Sequence, residues 1–274
     1  MCPRVPPSRA GLLRGYTLVE LLVAMVIALF LLAGLLTIVQ STRQTFNQQT
    51  ALAQLQDNER LALTMMGDII QSAGYFPNPQ SPTTFAASAG PPVFAASQVI
   101  SGTSGADVPG NTDTISVRFA PPATLGTGNV NTNLAIINCT GGTDAQNVSN
   151  SIVYSNEFSV DANGNLDCTL SGNGSTQTVA LVSGVKNLQI WYGVETLGTN
   201  GNNVDSYKTA SQMSATDWTN VTSVKVRLTF ANPLACATAV VVCPVTSLPA
   251  IQSNGTNSYL ERVVGVLGRT GITT

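Results

Sequence analysis

Arg14-Gly15-Tyr16-Thr17-Leu18-Val19-Glu20 opens an apolar run that continues almost without a break to Val39. As a helix, the 22 residues 18–39 would cover roughly 33 Å, enough to cross a hydrocarbon core of about 30 Å. The segment therefore predicts a membrane-crossing helix that carries a carboxylate, Glu20, near its start. An ionised group at such a depth costs on the order of 2.5 to 3.5 kcal/mol, so Glu20 calls for a partner that offsets the cost. Thr17 and Glu20 also have the spacing of a capping box, in which the hydroxyl and the carboxylate each satisfy a free amide of the first turn.

The 15 residues ahead of this run carry Arg4, Arg9 and Arg14, no acidic residue and no long apolar stretch. An ordinary secretory signal places its small-residue cleavage site after the apolar core. Here the small residue, Gly15, stands before that core, so a cut there would leave the hydrophobic segment on the mature chain.

This arrangement resembles the prepilin signal of type IV pilins and the related pseudopilins. The resemblance implies cleavage by a prepilin peptidase between Gly15 and Tyr16, N-methylation of Tyr16, and a role for Glu20 in neutralising the terminal amine of a neighbouring subunit during filament assembly. Tyr16 departs mildly from the family, which more often has Phe or Met there.

Composition agrees with an exported chain. Charged residues make up 9% of the sequence against roughly 25% in ordinary soluble domains. Loss of the leader would leave 9 basic residues against 14 acidic ones, a formal charge of -5. No basic patch is visible to neutralise phosphates, so no direct partnership with nucleic acid is expected. The positive leader is expected to face the cytoplasm, with the large remainder outside. Of the five cysteines, Cys2 lies in the leader without a lipobox, and Cys139, Cys168, Cys236 and Cys243 remain. An even number in an exported domain suggests two disulfides with three possible connectivities. The favoured pairing joins Cys139 to Cys168 and Cys236 to Cys243, with chain-entropy gains of roughly 3 to 4 and about 2.5 kcal/mol. A four-cysteine zinc site is the weaker reading, because no C-x2-C pair exists.

No proline interrupts residues 8–76, and the apolar residues Leu52, Leu55, Ala62, Met66, Ile69 and Ala73 recur at helical spacing, with Glu59 as an interruption. One continuous helix over 17–73, roughly 85 Å long, is predicted to end at Gly74 before Pro77. Its second half should lay the stripe against a head domain. Major pilins often carry a proline in the apolar half, which this chain lacks. Beyond Pro77 the chain turns to Pro/Gly/Ser/Thr-rich connections and short alternating strands. Strands are predicted at 112–120, 134–139, 151–160, 166–170, 178–182, 185–194, 221–231 and 259–267. The stretches 81–92, 101–111 and 197–203 have the composition of exposed, mobile connections. The predicted fold class is α+β, a long N-terminal helix packed on a mostly antiparallel sheet. Its domains are a leader at 1–15, a membrane or filament-core helix at 16–39, an amphipathic continuation at 40–76 and a β-rich head at 77–274.

Asp161, Asn163, Asn165 and Asp167 place side-chain oxygens at alternate positions, as a calcium loop does. An EF-hand needs Gly at the sixth position and Glu at the twelfth, where this chain has Leu166 and Gly172. Asn163-Gly164 between two strand-like runs is the stronger signal, for a hairpin turn. The chain contains no His, which excludes Ser-His-Asp and Cys-His nucleophile systems and His-ligated metals. No catalytic residue, metal site or cofactor is expected, and the chain reads as a structural subunit.

Residues 51–63 and 68–75, the segment 183–194, the hairpin ending at Cys168 and the segment 221–227 resemble PilW-type minor pilins within the pilin family. That resemblance implies a low-abundance subunit that joins other minor pilins in priming pilus assembly and sits at or near the tip. Its expected partners are those minor pilins, the major pilin, the prepilin peptidase and the inner-membrane assembly platform. The expected location is the inner membrane, single-pass with the head in the periplasm, and then the extracellular pilus. A GspJ-like pseudopilin of type II secretion and a pilus-associated adhesin are the alternative readings.

Overall fold

The computed structural model describes residues 17–75, 85–106, 111–120, 138–141, 153–172, 174–195, 203–232, 252–253 and 257–266. They fall into two compact units, Met1–Ala51 and Leu52–Thr274. A single helix, α1, spans Leu18–Gln71. In the first unit every helical residue from Leu18 to Thr50 is exposed, and the most apolar window has a mean hydropathy of 3.0. Phe30 is 77% exposed and Leu18 76%, so this surface is stable only where something other than water covers it. Threonines within the helix are satisfied locally. Thr37 donates to the Gly34 carbonyl at 2.7 Å and Thr42 to that of Ile38 at 2.8 Å, which removes the cost of carrying free hydroxyls in apolar surroundings.

In the second unit α1 becomes amphipathic. Leu55, Glu59, Ala62, Leu63, Met66, Gly67, Ile69 and Ile70 are buried. The predicted stripe is therefore present, but Glu59 lies within the buried face and does not interrupt it. The helix stops as expected: Gly74 adopts φ +75°, a left-handed conformation open to glycine at little cost, and its amide donates to the Arg118 carbonyl at 3.0 Å.

Among the described residues, two five-stranded antiparallel sheets make up most of the rest of this unit. The first contains β1 (Ile100–Thr103), β2 (Thr114–Phe119), β3 (Tyr154–Val160), β4 (Asn165–Gly172) and β5 (Ser175–Ser183), paired in that order. The second contains β6 (Val185–Val194), β7 (Ser206–Lys208), β8 (Val221–Ala231), β9 (Gln252–Ser253) and β10 (Asn257–Gly265), in the order β7-β6-β8-β10-β9. Strand alternation drives both. Leu188, Ile190, Tyr192, Val224, Val226 and Leu228 point into the core with Ile115, Val117 and Phe158 of the first sheet.

The alternate residues of the second sheet form cross-strand rows on its other face. Gln189, Arg227 and Glu261 are in register across β6, β8 and β10, and so are Trp191, Lys225 and Val263. Arg227 pairs with Glu261 and lies 5.0 Å over the Trp191 ring, as does Lys225, so half-exposed charges and rings stabilise each other there. A short helix, α2 (Ala215–Thr219), is capped by Ser214 and Asp217 and places Trp218 edge-on to Tyr192 at 4.7 Å.

The predicted strands 112–120, 151–160, 166–170, 178–182, 185–194, 221–231 and 259–267 coincide with β2, β3, β4, β5, β6, β8 and β10 within a few residues. The predicted strand 134–139 lies outside the described residues except for Asn138 and Cys139, which are not in a strand. Residues 101–103 belong to β1 and not to a loop. Ile-Ser-Gly-Thr is too short and too hydroxyl-rich to show a period, and its extended form comes from pairing with β2.

Candidate functional site

Glu20 sits in the first turn of α1. Its amide donates to the Thr17 hydroxyl at 3.3 Å and to the Thr17 carbonyl at 3.1 Å. This is half of the capping box. The carboxylate is not engaged in the reciprocal bond, and among the described residues it has no hydrogen-bond or ionic partner. Gly15 and Tyr16 lie outside the described residues.

Cys139 and Cys168 form a disulfide with a Cα–Cα distance of 6.1 Å. It ties the 138–141 turn to β4, where Asn138 accepts from the Thr140 amide and hydroxyl and Asn156 accepts from the Cys139 amide. Cys236 and Cys243 lie outside the described residues. The turn between β3 and β4 has the Gly164 amide donating to the Asp161 carbonyl at 3.1 Å, with Gly164 at φ +80°, a three-residue hairpin with a left-handed glycine. The Asp161 carboxylate accepts from the amides of Asn163 and Asn165 and from both their side chains. These donors, the Asn165 amide foremost, hold the Asp161 carboxyl below the usual range. These bonds close the hairpin turn around the Asp161 carboxylate.

The family model described as Type IV Pilus-assembly protein W matches residues 154–240, and the prokaryotic N-terminal methylation motif matches residues 14–36. The chain thus carries a segment similar to the PilW family behind a prepilin-type methylation motif. A comparison with curated proteins gives no match. Among solved structures, a type IV-like pilin from Thermus thermophilus is similar at 14% identity, covering 78% of this chain and 96% of that one, with a TM-score of 0.43. The PilW match runs from β3 through β8 and so takes in the disulfide-bearing strand β4 and the central strands of the second sheet. The methylation motif and the apolar helix point together to membrane anchoring and the pilus.

Three arrangements in the head escape a linear reading. The first is a cation clamp outside both matched spans. Phe85-Ala86-Ala87-Ser88 recurs as Phe94-Ala95-Ala96-Ser97, and Ser88 and Phe94 pair through both backbone bonds. Each copy offers one ring and one carbonyl to the same guanidinium. Arg118, buried at the end of β2, lies 5.0 Å from the Phe85 ring and 4.8 Å from the Phe94 ring. Its terminal nitrogens donate to the carbonyls of Ala86 at 2.6 Å and Ala95 at 2.8 Å, and its Nε to that of Gln98. Phe85, Ala86 and Ser88 of the stretch 81–92 are thus held by contacts, whereas residues 89–91 are exposed as expected. Burial lowers the Arg118 pKa to about 10, still far above neutrality, so the clamp holds a charged guanidinium. The FAAS repeat was the available signal.

The second is Asp113, which joins the two sheets. Its carboxylate accepts from the amides of Gly105 at 2.9 Å and Ile190 at 2.8 Å, while its own amide donates to the Leu188 carbonyl at 3.0 Å. Tyr192 beside it is fully buried, and burial first and Asp113 second push its hydroxyl well above the ordinary value.

The third is Glu59, 5% exposed, which accepts from the Ser258 hydroxyl of β10 at 3.0 Å. Four residues further along each element, Arg262 donates to the Leu63 carbonyl at 3.1 Å. Burial raises the Glu59 carboxyl above its ordinary range, and the Ser258 bond only partly opposes this. A raised folded-state value means that the native chain binds more protons than the unfolded chain between the two values. Stability therefore falls as pH rises through that window. Glu59→Gln keeps the acceptor for Ser258 and removes the charge. The expected result is an unfolding midpoint raised by roughly 1 to 3 °C at neutral pH, a gain that shrinks to nothing as pH falls through the ordinary carboxylate range, read by thermal melts at several pH values.

Proposed function

We propose that this chain is a PilW-like minor pilin that takes part in priming pilus assembly and is incorporated at or near the pilus tip. Before assembly it would be held in the inner membrane by residues 16–39 with its head in the periplasm, after cleavage between Gly15 and Tyr16 and methylation of Tyr16. The observation that carries this reading is the Glu20 carboxylate, which has no partner among the described residues, at the start of an exposed apolar helix. A carboxylate in hydrocarbon needs a counter-charge, and the terminal amine of an adjacent subunit would supply one at the moment of stacking. Other minor pilins, the major pilin and the assembly platform are the partners this implies. The head, with its polar, weakly charged loops, would serve as a building block of the fibre end and carry out no chemistry of its own.

The test is deletion of the gene, complementation with wild-type or Glu20→Ala, and a count of surface pili alongside secretion of type II substrates. The expected result is lost pili with normal secretion, restored by wild-type and at least about tenfold less well by Glu20→Ala. Normal piliation with failed secretion would sink the proposal in favour of a pseudopilin role. If both processes stayed intact, an adhesin role would take its place.

A further inference from the structure

Among the described residues the two sheets end in four edge strands, and these are not alike. β1 has 4 residues, β7 has 3 and β9 has 2, whereas β5 has 9. Proteins blunt sheet edges by shortness, charge, proline or bulges. Three of these strands are short; where β9 leaves β10 unpaired, at 260–265, Glu261 and Arg262 put charge on the edge, and where β7 leaves β6 unpaired its backbone bonds to Asp113 and Gly164. β5, Ser-Thr-Gln-Thr-Val-Ala-Leu-Val-Ser, carries neither charge nor proline. Its one irregularity is the shift at Leu181, and from Ala180 to Ser175 its register with β4 is unbroken. Hydroxyl pairs between Thr169 and Thr178 at 2.9 Å and between Ser171 and Thr176 at 3.4 Å brace this stretch in extended form. Among the described residues, β4 is the one strand paired with β5, and at the far end of β5 the Ser183 carbonyl accepts from Asn58 of α1 at 3.4 Å.

The strand has a polarity along its length. Ser175, Thr176, Gln177 and Thr178 are exposed in succession, so water reaches both faces there, while Val179 and Leu181 are half-buried and Val182 is buried. This gradient selects among occupants. In a closed two-fold dimer the same strand of each copy would pair antiparallel, which sets the hydroxyl end of one against the apolar end of the other. An antiparallel strand from a different subunit, reading apolar first and hydroxyl-rich second, matches at both ends. It would also bring no charge to a ladder that has none to answer it.

Resting on the priming-subunit reading above, we infer that β5 is the docking edge for such an uncharged extended strand from the head of another pilin. Backbone hydrogen bonds would supply the attachment and the polarity gradient the direction. A photo-crosslinking residue at Gln177 of the full-length chain, in piliated cells, tests it, with the same residue at Val263 of the second sheet as control. The expected result is an adduct with a different pilin, at least about tenfold stronger from Gln177 than from Val263 and reduced about tenfold by Ala180→Lys, which puts a charge on the edge. An adduct between two copies of this chain, equal labelling from both positions, or no adduct would overturn the inference. Piliation in the deletion strain separates the two proposals. Lost pili without a β5 adduct would leave the priming role standing and remove the docking edge, whereas normal pili would remove the reading on which both rest.

Discussion

Arg118→Met is expected to destabilise the head by about 3 to 5 kcal/mol, because three hydrogen bonds from a charged donor are lost, each worth about 1.5 to 3 kcal/mol when fully buried and less where its carbonyl can reach water. Methionine fills much of the space between Phe85 and Phe94 but leaves the carbonyls of Ala86, Ala95 and Gln98 without the donors they now share. Among the described residues no carboxylate pairs with Arg118. The site therefore depends on those carbonyls and the two ring faces, which carry the negative end of an aromatic quadrupole. Arg118→Lys should recover less than half of the loss, because a compact ammonium cannot present a planar fork to three separated acceptors. Urea unfolding followed through Trp191 and Trp218, both in the Leu52–Thr274 unit, measures the difference. Near-normal stability in Arg118→Met would show that the clamp is decorative. Proteolysis should report the same event locally, with new cuts between residues 85 and 97.

The second large effect belongs to Asp113. Replacing it with Ala should cost about 2 to 4 kcal/mol, since the buried amide of Ile190 and the half-buried amide of Gly105 lose their acceptor. Asp113→Asn is the more discriminating variant. An amide side chain offers one acceptor and one donor, so it can satisfy one of the two N–H groups while its own NH2 meets the other. Asn should thus come close to Ala in the same unfolding experiment. If Asn instead matched wild-type, the doubly accepting role would be wrong. Both variants should loosen the seam where Tyr192 contacts Thr114 and Trp218, so the Trp218 environment, followed by fluorescence, should shift before global unfolding.

What was legible in the sequence was periodic or punctuated. The apolar run behind Gly15, the helical stripe ending at Gly74, the alternation in Val185–Val194 and Val221–Ala231, and the Asn163-Gly164 turn all follow from local rules of spacing and backbone freedom, and the structure realises each of them. β1 was missed because four residues rich in hydroxyls and glycine carry no period; its conformation is imposed by β2. Glu59 looked like a break in the stripe, because nothing local indicates that Ser258, 199 residues away, will meet it.

The sequence by itself determined the membrane-length helix with its single early carboxylate, the α+β order of elements and the direction of each strand's apolar face, since these depend on neighbours within a few residues. Only the tertiary structure decided how the buried charges are used. A guanidinium between two copies of FAAS, a carboxylate joining two sheets and a carboxyl held beneath a helix become tolerable only when distant segments bring the matching donors and acceptors. Desolvating a charge is penalised heavily unless those partners arrive with it.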